Sequence, residues 1–240
     1  MSDKLIIIPA YNEGESICGT ISKIKEDAPD FDYIIINDCS TDDTLQKCIS
    51  NGYNYLNLPI NLGIGGAVQT GYKYAAENNY KIAVQVDGDG QHDPSFLSKM
   101  EETLIKENAD MVIGSRFITK EGFQSTLARR IGIGYFTKLI KLFTGETITD
   151  PTSGLRMVGR DLIELFAIDY PRDYPEPESL VKAIKNQRKV IEIPVIMKER
   201  QGGQSSIRLK KSVYYMIKVS LAIVLELLRK HKSFKNGENK

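Results

Sequence analysis

The sequence predicts an α/β fold: a mostly parallel sheet flanked by helices, followed by a C-terminal amphipathic helix. Three observations lead there. Short apolar runs alternate with amphipathic stretches along most of the 240 residues, polar and glycine-rich clusters sit where the apolar runs end, and the last stretch is a basic, helix-periodic segment. Strands separated by helices imply right-handed crossovers and a sheet covered on both faces. In such sheets ligands gather beyond the carboxyl ends of the strands.

The elements are read in order. KLIIIPA (4–10) is a strand, Asn12 to Asp27 a helix, DYIIIND (32–38) a strand, and Asp42 to Asn51 a helix capped by Thr41 or Asp42. NYLNLP follows as a strand, Gly65 to Asn79 as a helix, KIAVQV (81–86) as a strand, Pro94 to Asn108 as a helix, and DMVIGSR (110–116) as a strand. After Arg116 the rhythm loosens. Ala128 to Phe143 reads as helix, LRMVGR as an edge strand, Asp161 to Phe166 and Glu178 to Lys185 as helices, and VIEIPVIMKER as an alternating strand. QGGQSS then leads into a helix from about Leu209 to Lys230, and the polar residues 233–240 are expected to be disordered.

A composition with 41% hydrophobic and 26% charged residues is that of a globular protein, and a net charge of +1 offers no basic field for nucleic acid. The charge is unevenly placed. From Ile207 onward nine Lys or Arg stand against two Glu, a net of +7, so with +1 overall residues 1–206 carry −6. Cys18, Cys39 and Cys48 lack metal-type spacing, and MSDKLIII lacks the basic start and cleavage site of a signal peptide. A reducing cytoplasm is expected. No run of 18 apolar residues predicts a spanning helix.

VQVDGDGQHDP (84–94) concentrates oxygen ligands where a strand ends. Continued extension would put Asp87, Asp89 and Gln91 on one side, an oxygen-only set suited to Mg²⁺ or Mn²⁺ completed by water and phosphates. A positive ion would offset the repulsion between the carboxylates. An EF-hand loop is excluded, because His92 stands where it needs Gly and Ser98 where it needs Glu. Asp93-Pro94 also reads as a plain helix cap, and His92 as a structural histidine. NLGIGGAVQTG begins like a dinucleotide fingerprint, but Val68 replaces its last glycine and it follows the third strand, so nicotinamide binding is disfavoured.

PAYNE (9–13), NDCSTDDT (37–44), NLGIGGAVQTGY (61–72), DGDGQHDP (87–94), GSRF (114–117) and DPTSGLRM (150–157), in that order, resemble family 2 glycosyltransferases of the GT-A fold. Within them the sequence is similar to the dolichol-phosphate mannose synthase and bactoprenol glycosyltransferase branch, over residues 4 to about 206. The glycines Gly63 and Gly65 read as a loop cradling a nucleotide sugar or as a tight helix start, and the resemblance implies that Pro9, Ala10, Tyr11 and Glu13 wrap the nucleotide and that Asp38 reads its base. It further implies Asp87, Asp89 and Gln91 around a Mg²⁺ or Mn²⁺ ion and the diphosphate, with Asp89 catalytic. Arg116 would contact the acceptor phosphate, with Arg129 or Arg130 as a second contact, although an ordinary solvated helix face explains that pair equally well. Asp150 would line the acceptor side. YPEPESLVKA departs from the family's E-x-E-L-L-x-K-A pattern by placing Pro177 between Glu176 and Glu178, which puts in doubt how the helix begins and where Glu178 points. ERQGGQS fits an R-x-x-G-x-S loop in which Arg200 closes over the diphosphate.

The function expected is inverting, metal-dependent transfer of a sugar, from a UDP-linked donor, to polyprenyl phosphate at the cytoplasmic membrane face. A hydroxyl acceptor on a surface glycan is the alternative and would need a general base, for which Asp150 or Glu178 stands as candidate. A phosphate monoester needs none, since its second pKa is about 6. A non-catalytic nucleotide-sugar-binding module is a third reading.

The division expected is a catalytic domain over 1–206, a basic helical appendage over 207–232 and a tail over 233–240. In the appendage Val213, Met216, Ile217, Ser220, Ile223, Val224, Leu227 and Leu228 cluster on one face opposite Lys211, Lys218, Ala222, Glu226 and Arg229. A membrane surface, a small membrane protein, the chain's own domain or a second copy could cover that face.

Overall fold

The computed structural model describes residues 2–123, 127–198 and 209–228, with the side chains of 127–129 and 209–215 outside the description. Strands β1 (Lys4–Ala10), β2 (Asp32–Asn37), β3 (Tyr55–Asn57), β4 (Ile82–Gln85), β5 (Met111–Ser115), β6 (Arg156–Gly159) and β7 (Val190–Pro194) form a sheet in the order β3-β2-β1-β4-β6-β5-β7. β6 alone runs antiparallel to its neighbours, β4 and β5; the other pairings are parallel. The segment expected as an edge strand therefore lies inside the sheet. Its Met157 and Val158 are fully buried, and the edge position falls to half-buried β7.

Helices α1 (Ile17–Asp27), α2 (Thr44–Ser50), α3 (Gly63–Glu77), α4 (Leu97–Lys106), α5 (Leu127–Thr144), α6 (Arg160–Ile168), α7 (Pro175–Lys185) and α8 (Leu209–Leu228) connect and cover the strands. The period-2 alternation of β1 divides the core. Leu5 and Ile7 join one cluster with residues of α3, α5, α6, α7 and α8, whereas Ile6 and Ile8 join the other with residues of α1, α2 and α4.

Boundaries shift where side chains compete with helical hydrogen bonding. α1 begins five residues later than the periodicity suggests, because Asn12 adopts φ 57° and the PAYNE segment forms a turn. α7 begins three residues earlier than expected, at Pro175. Pro175 and Pro177 occupy the first turn, where backbone N–H groups have no intrahelical partner, so two missing donors cost little.

α8 is built into the domain rather than standing off it. Val219 and Ile223 are fully buried in the larger core cluster, and Met216 and Leu227 pack against it. The predicted apolar face divides here, since Ile217 and Leu228 are 57% and 73% exposed, alongside Leu221 and Leu225. Lys218, placed by periodicity on a polar stripe, pairs with Asp173 at 2.5 Å and lies over the Tyr174 ring. No described helix is long and apolar enough to cross a membrane.

Candidate active site

The carboxyl ends of β1, β2 and β4 bring three of the motifs together. Asn12 N–H donates to Ser40 Oγ at 3.0 Å and Asn12 Oδ1 accepts from Thr41 N–H at 2.8 Å, lacing the loop after β1 to the loop after β2. Gly88 of the acidic loop lies over the same place. A Cβ there would stand 3.2 Å from the Pro9 carbonyl and 3.7 Å from Ala10 Cβ, so the acidic loop rests against the PAYNE turn. Thr20 Oγ1 donates to the Gly88 carbonyl at 3.1 Å and fixes it there. Tyr11 is 48% exposed at the rim, while Glu13 is buried and accepts from Ser16 Oγ.

Asp38, 3% exposed, has both carboxylate oxygens on the start of α3: it accepts from Leu62 N–H at 2.7 Å and Gly63 N–H at 2.9 Å. Its ionised form thereby compensates the positive end of that helix. Gly65 is buried, with its N–H donating to the Arg172 carbonyl at 3.1 Å. A Cβ would fall 2.1 Å from the Pro171 carbonyl oxygen. Gly65 thus lies in the tight first turn of α3, one of the two expected readings, and packs against the segment before α7.

In the acidic loop, Asp87 N–H donates to His92 Nδ1 at 3.0 Å, Asp87 Oδ1 accepts from Gln85 Nε2 at 3.0 Å, and Asp89 Oδ1 accepts from Gln91 N–H at 3.0 Å. Gln91 Nε2 donates to the Lys198 carbonyl at 3.2 Å, tying this side chain to the segment after β7. Asp93 caps the turn at Pro94 and pairs with Lys198 at 3.0 Å, as the plain capping reading expects. Among the described residues no three His, Cys, Asp or Glu side chains converge as a complete ion cage. Asp87 and Asp89 nevertheless provide two all-oxygen carboxylate ligands flanking Gly88, which fits a Mg²⁺ or Mn²⁺ ion that takes its remaining ligands from a diphosphate and water.

On the far side of β4, Arg116 grips Asp150. Nε meets Oδ2 and Nη2 meets Oδ1, both at 2.7 Å, and Nη2 also donates to Thr152 Oγ1 at 3.1 Å. Asp150 is wholly buried. Behind it Glu192 accepts from the backbone N–H groups of Thr149 and Asp150 at 2.7 and 2.8 Å, and burial pushes its carboxyl pKa up.

The glycosyl transferase family 2 model matches residues 5–166. The chain belongs to this family. Over 222 residues it is 32% identical to a UDP-N-acetylglucosamine–dolichyl-phosphate N-acetylglucosaminyltransferase of Methanococcus voltae, covering 81% of this chain and 86% of the relative. It is 28% identical over 210 residues to an undecaprenyl-phosphate mannosyltransferase of Micrococcus luteus, covering 84% and 86%. In fold it is similar to glucosyl-3-phosphoglycerate synthase of Mycobacterium tuberculosis, solved with Mn²⁺, UDP and phosphoglyceric acid, at a TM-score of 0.73 and 18% identity over 95% of this chain and 80% of that one. The protein is a glycosyltransferase of the GT-A type, as the motifs imply.

Within this family 2 fold, the two glutamates of the PEPE turn part company. Two positions apart on a helix is about 200° of rotation, so Glu176 and Glu178 face opposite ways. Glu178 belongs to the α8 side: burial and the carboxylates of Asp173 and Glu226 raise its pKa to about 7, against Lys182 and Lys218. Glu176 instead feels the charges of Arg156, Asp87 and Arg116. Its pKa is raised by burial and by Asp87, while Arg156 and Arg116 pull it down. The sequence reading names Glu178 as a site candidate and does not name Glu176.

Buried Arg156 braces the region, donating from Nε to the Ser153 carbonyl and from Nη2 to the Pro151 carbonyl, both at 2.7 Å, and from Nη1 to Ser179 Oγ at 3.0 Å. Arg130 is exposed on α5, the Arg129 side chain lies outside the description, and Arg200 with the QGGQS loop lies outside the described residues. Gln85, Arg156 and Glu192 also escaped sequence reasoning. Their signal was a polar residue inside an otherwise apolar strand, in IAVQV, LRMVG and VIEIP.

Proposed function

We propose that this glycosyltransferase moves a sugar, with inversion, from a UDP-sugar to polyprenyl phosphate at the cytoplasmic face of a membrane. The observation that carries the acceptor class is the engagement of Asp150, the expected base that lies beside Arg116. Asp150 has each oxygen on the Arg116 guanidinium, and Glu178 lies among the charges of Asp173, Lys182, Lys218 and Glu226. An acceptor that is already ionised needs no base: a phosphate oxygen attacks the anomeric carbon, the bond to the nucleoside diphosphate breaks, and no proton is removed. The names of the Micrococcus and Methanococcus relatives, both lipid-phosphate sugar transferases, support the same class.

The residues divide the work accordingly. Pro9, Ala10, Tyr11, Glu13 and Asp38 bound the nucleoside side, and Arg116, held in one orientation by Asp150, faces the acceptor phosphate, with Arg129 or Arg130 as a further cation. Asp87 and Asp89, with Gln91 two residues on, would hold the divalent ion. A Mg²⁺ or Mn²⁺ ion bound there would supply positive charge against the departing diphosphate, with Arg200 as the further cation that the resemblance implies.

Lipid access is supported by the outward stripe of α8. Ile217, Leu221, Leu225 and Leu228 are each more than half exposed, and Tyr135 Oη on α5 meets Ser220 Oγ at 2.9 Å, placing exposed Ile131 one turn away on the adjoining helix. The basic residues from Ile207 onward suit anionic headgroups.

A second reading has one observation of its own. Glu176, with its raised pKa beside Asp87 and Arg116, would serve as the base for a hydroxyl acceptor. Radiolabelled UDP-sugars offered with polyprenyl phosphate decide between them. Label entering the organic phase supports the first reading, and label appearing only on saccharide acceptors overturns it in favour of the second.

A further inference from the structure

Gln85 is the last residue of β4, two positions before Asp87, and is 1% exposed. Its amide has a single hydrogen bond among the described residues, from Nε2 to Asp87 Oδ1 at 3.0 Å, and its Oε1 is buried without a partner. Turning the amide over would set Oε1 against a carboxylate oxygen, two acceptors facing each other, so the N–H end belongs on Asp87. The fold therefore carries a buried, unsatisfied carbonyl, which weakens it, while Asp87 gains a donor.

The surroundings leave that donor little freedom. A Cβ on Gly154 would stand 2.9 Å from Asp87 Oδ2 and 3.1 Å from Gln85 Nε2, so backbone closes over the pair. His92, itself buried, takes the Asp87 N–H on Nδ1 and sets Nε2 3.6 Å from Oδ2. One side chain thus holds the main chain of Asp87 and another holds its carboxylate.

We propose that Gln85 is a positioning residue: its amide N–H presets the Asp87 carboxylate for the divalent cation and diphosphate, at a cost to the stability of the strand that bears it. This rests on the assignment of Asp87 to the cation site made above. Ligand-orienting partners of this kind typically change metal affinity by about 10- to 100-fold when removed.

The test replaces Gln85 by methionine, close in volume and shape but without the N–H or the orphan carbonyl. Two quantities are read on the full chain: Mn²⁺ affinity in the presence of UDP, from the electron paramagnetic resonance signal of free Mn²⁺, and the thermal midpoint without either ligand. Positioning predicts that Q85M binds Mn²⁺ about tenfold more weakly while its midpoint stays level or rises. Mn²⁺ affinity within twofold of the unmodified chain overturns the proposal. So does a midpoint lowered by several degrees, or failure to fold, since either makes Gln85 a part of the core. If the unmodified chain itself binds no Mn²⁺ with UDP, the cation assignment falls and this inference with it, an outcome visible without the variant.

Discussion

Arg116 and Asp150 form a two-point ion pair, Nε to Oδ2 and Nη2 to Oδ1, both at 2.7 Å, with the carboxylate wholly buried. Removing one member of a buried pair leaves the other uncompensated, at a cost of about 3–5 kcal/mol. Asp150→Ala is expected to lower unfolding free energy by that amount in urea. Arg116→Lys keeps the charge but cannot reproduce the fork, so it should retain most of the stability yet lose about 100-fold in kcat/KM. A lysine variant with unchanged kcat/KM would remove Arg116 from the acceptor site.

Asp89 is 7% exposed and holds the Gln91 N–H through Oδ1. Asp89→Asn preserves that hydrogen bond and withdraws one negative charge. Turnover should fall at least 100-fold with the thermal midpoint nearly unchanged, and chelation of divalent ions from the unmodified enzyme should abolish turnover until Mn²⁺ or Mg²⁺ is restored. Full turnover under chelation would refute the metal-dependent mechanism.

Gly65→Ala separates packing from nucleotide contact. The new methyl group would lie 2.1 Å from the Pro171 carbonyl, an overpacking that costs about 1–3 kcal/mol. Chemical denaturation should register that loss. A UDP affinity that drops while stability holds would return Gly65 to the nucleotide pocket.

Glu178 gives the α7–α8 side a pH dependence. Its carboxyl, normally near 4.5, is raised to about 7, chiefly by burial and then by Asp173 and Glu226. The folded chain therefore holds this proton more tightly than the unfolded chain. The associated stability is present below about pH 4.5 and is lost as pH rises through about 7. Glu178→Gln should flatten this part of the thermal midpoint profile between pH 5 and 7.5, measured side by side with the unmodified chain. Parallel profiles would show that Glu178 titrates normally.

Leu221 and Leu225 are 58% and 63% exposed on the outward stripe of α8. Exchanging both for glutamate should leave thermal stability nearly intact, as expected of exposed positions, and abolish co-sedimentation with phosphatidylglycerol vesicles. If the double variant still pellets with vesicles, the stripe is not the lipid-facing surface.

Local pattern alone carried the strands, most helices, the order of motifs and the pooling of polar loops at the carboxyl ends of β1, β2 and β4. These depend on neighbours in sequence: side chains alternate along a strand, apolar positions recur every 3.6 residues along a helix, and glycine or asparagine marks a chain reversal. Tertiary structure decided what depends on partners distant in sequence. It put β6 inside the sheet, brought Glu176 into electrostatic range of Asp87, gave both Asp150 oxygens to Arg116, and set the Gln85 amide against Asp87. Such choices belong to space, because a buried charge or amide takes whichever partner the packed chain brings within hydrogen-bond reach.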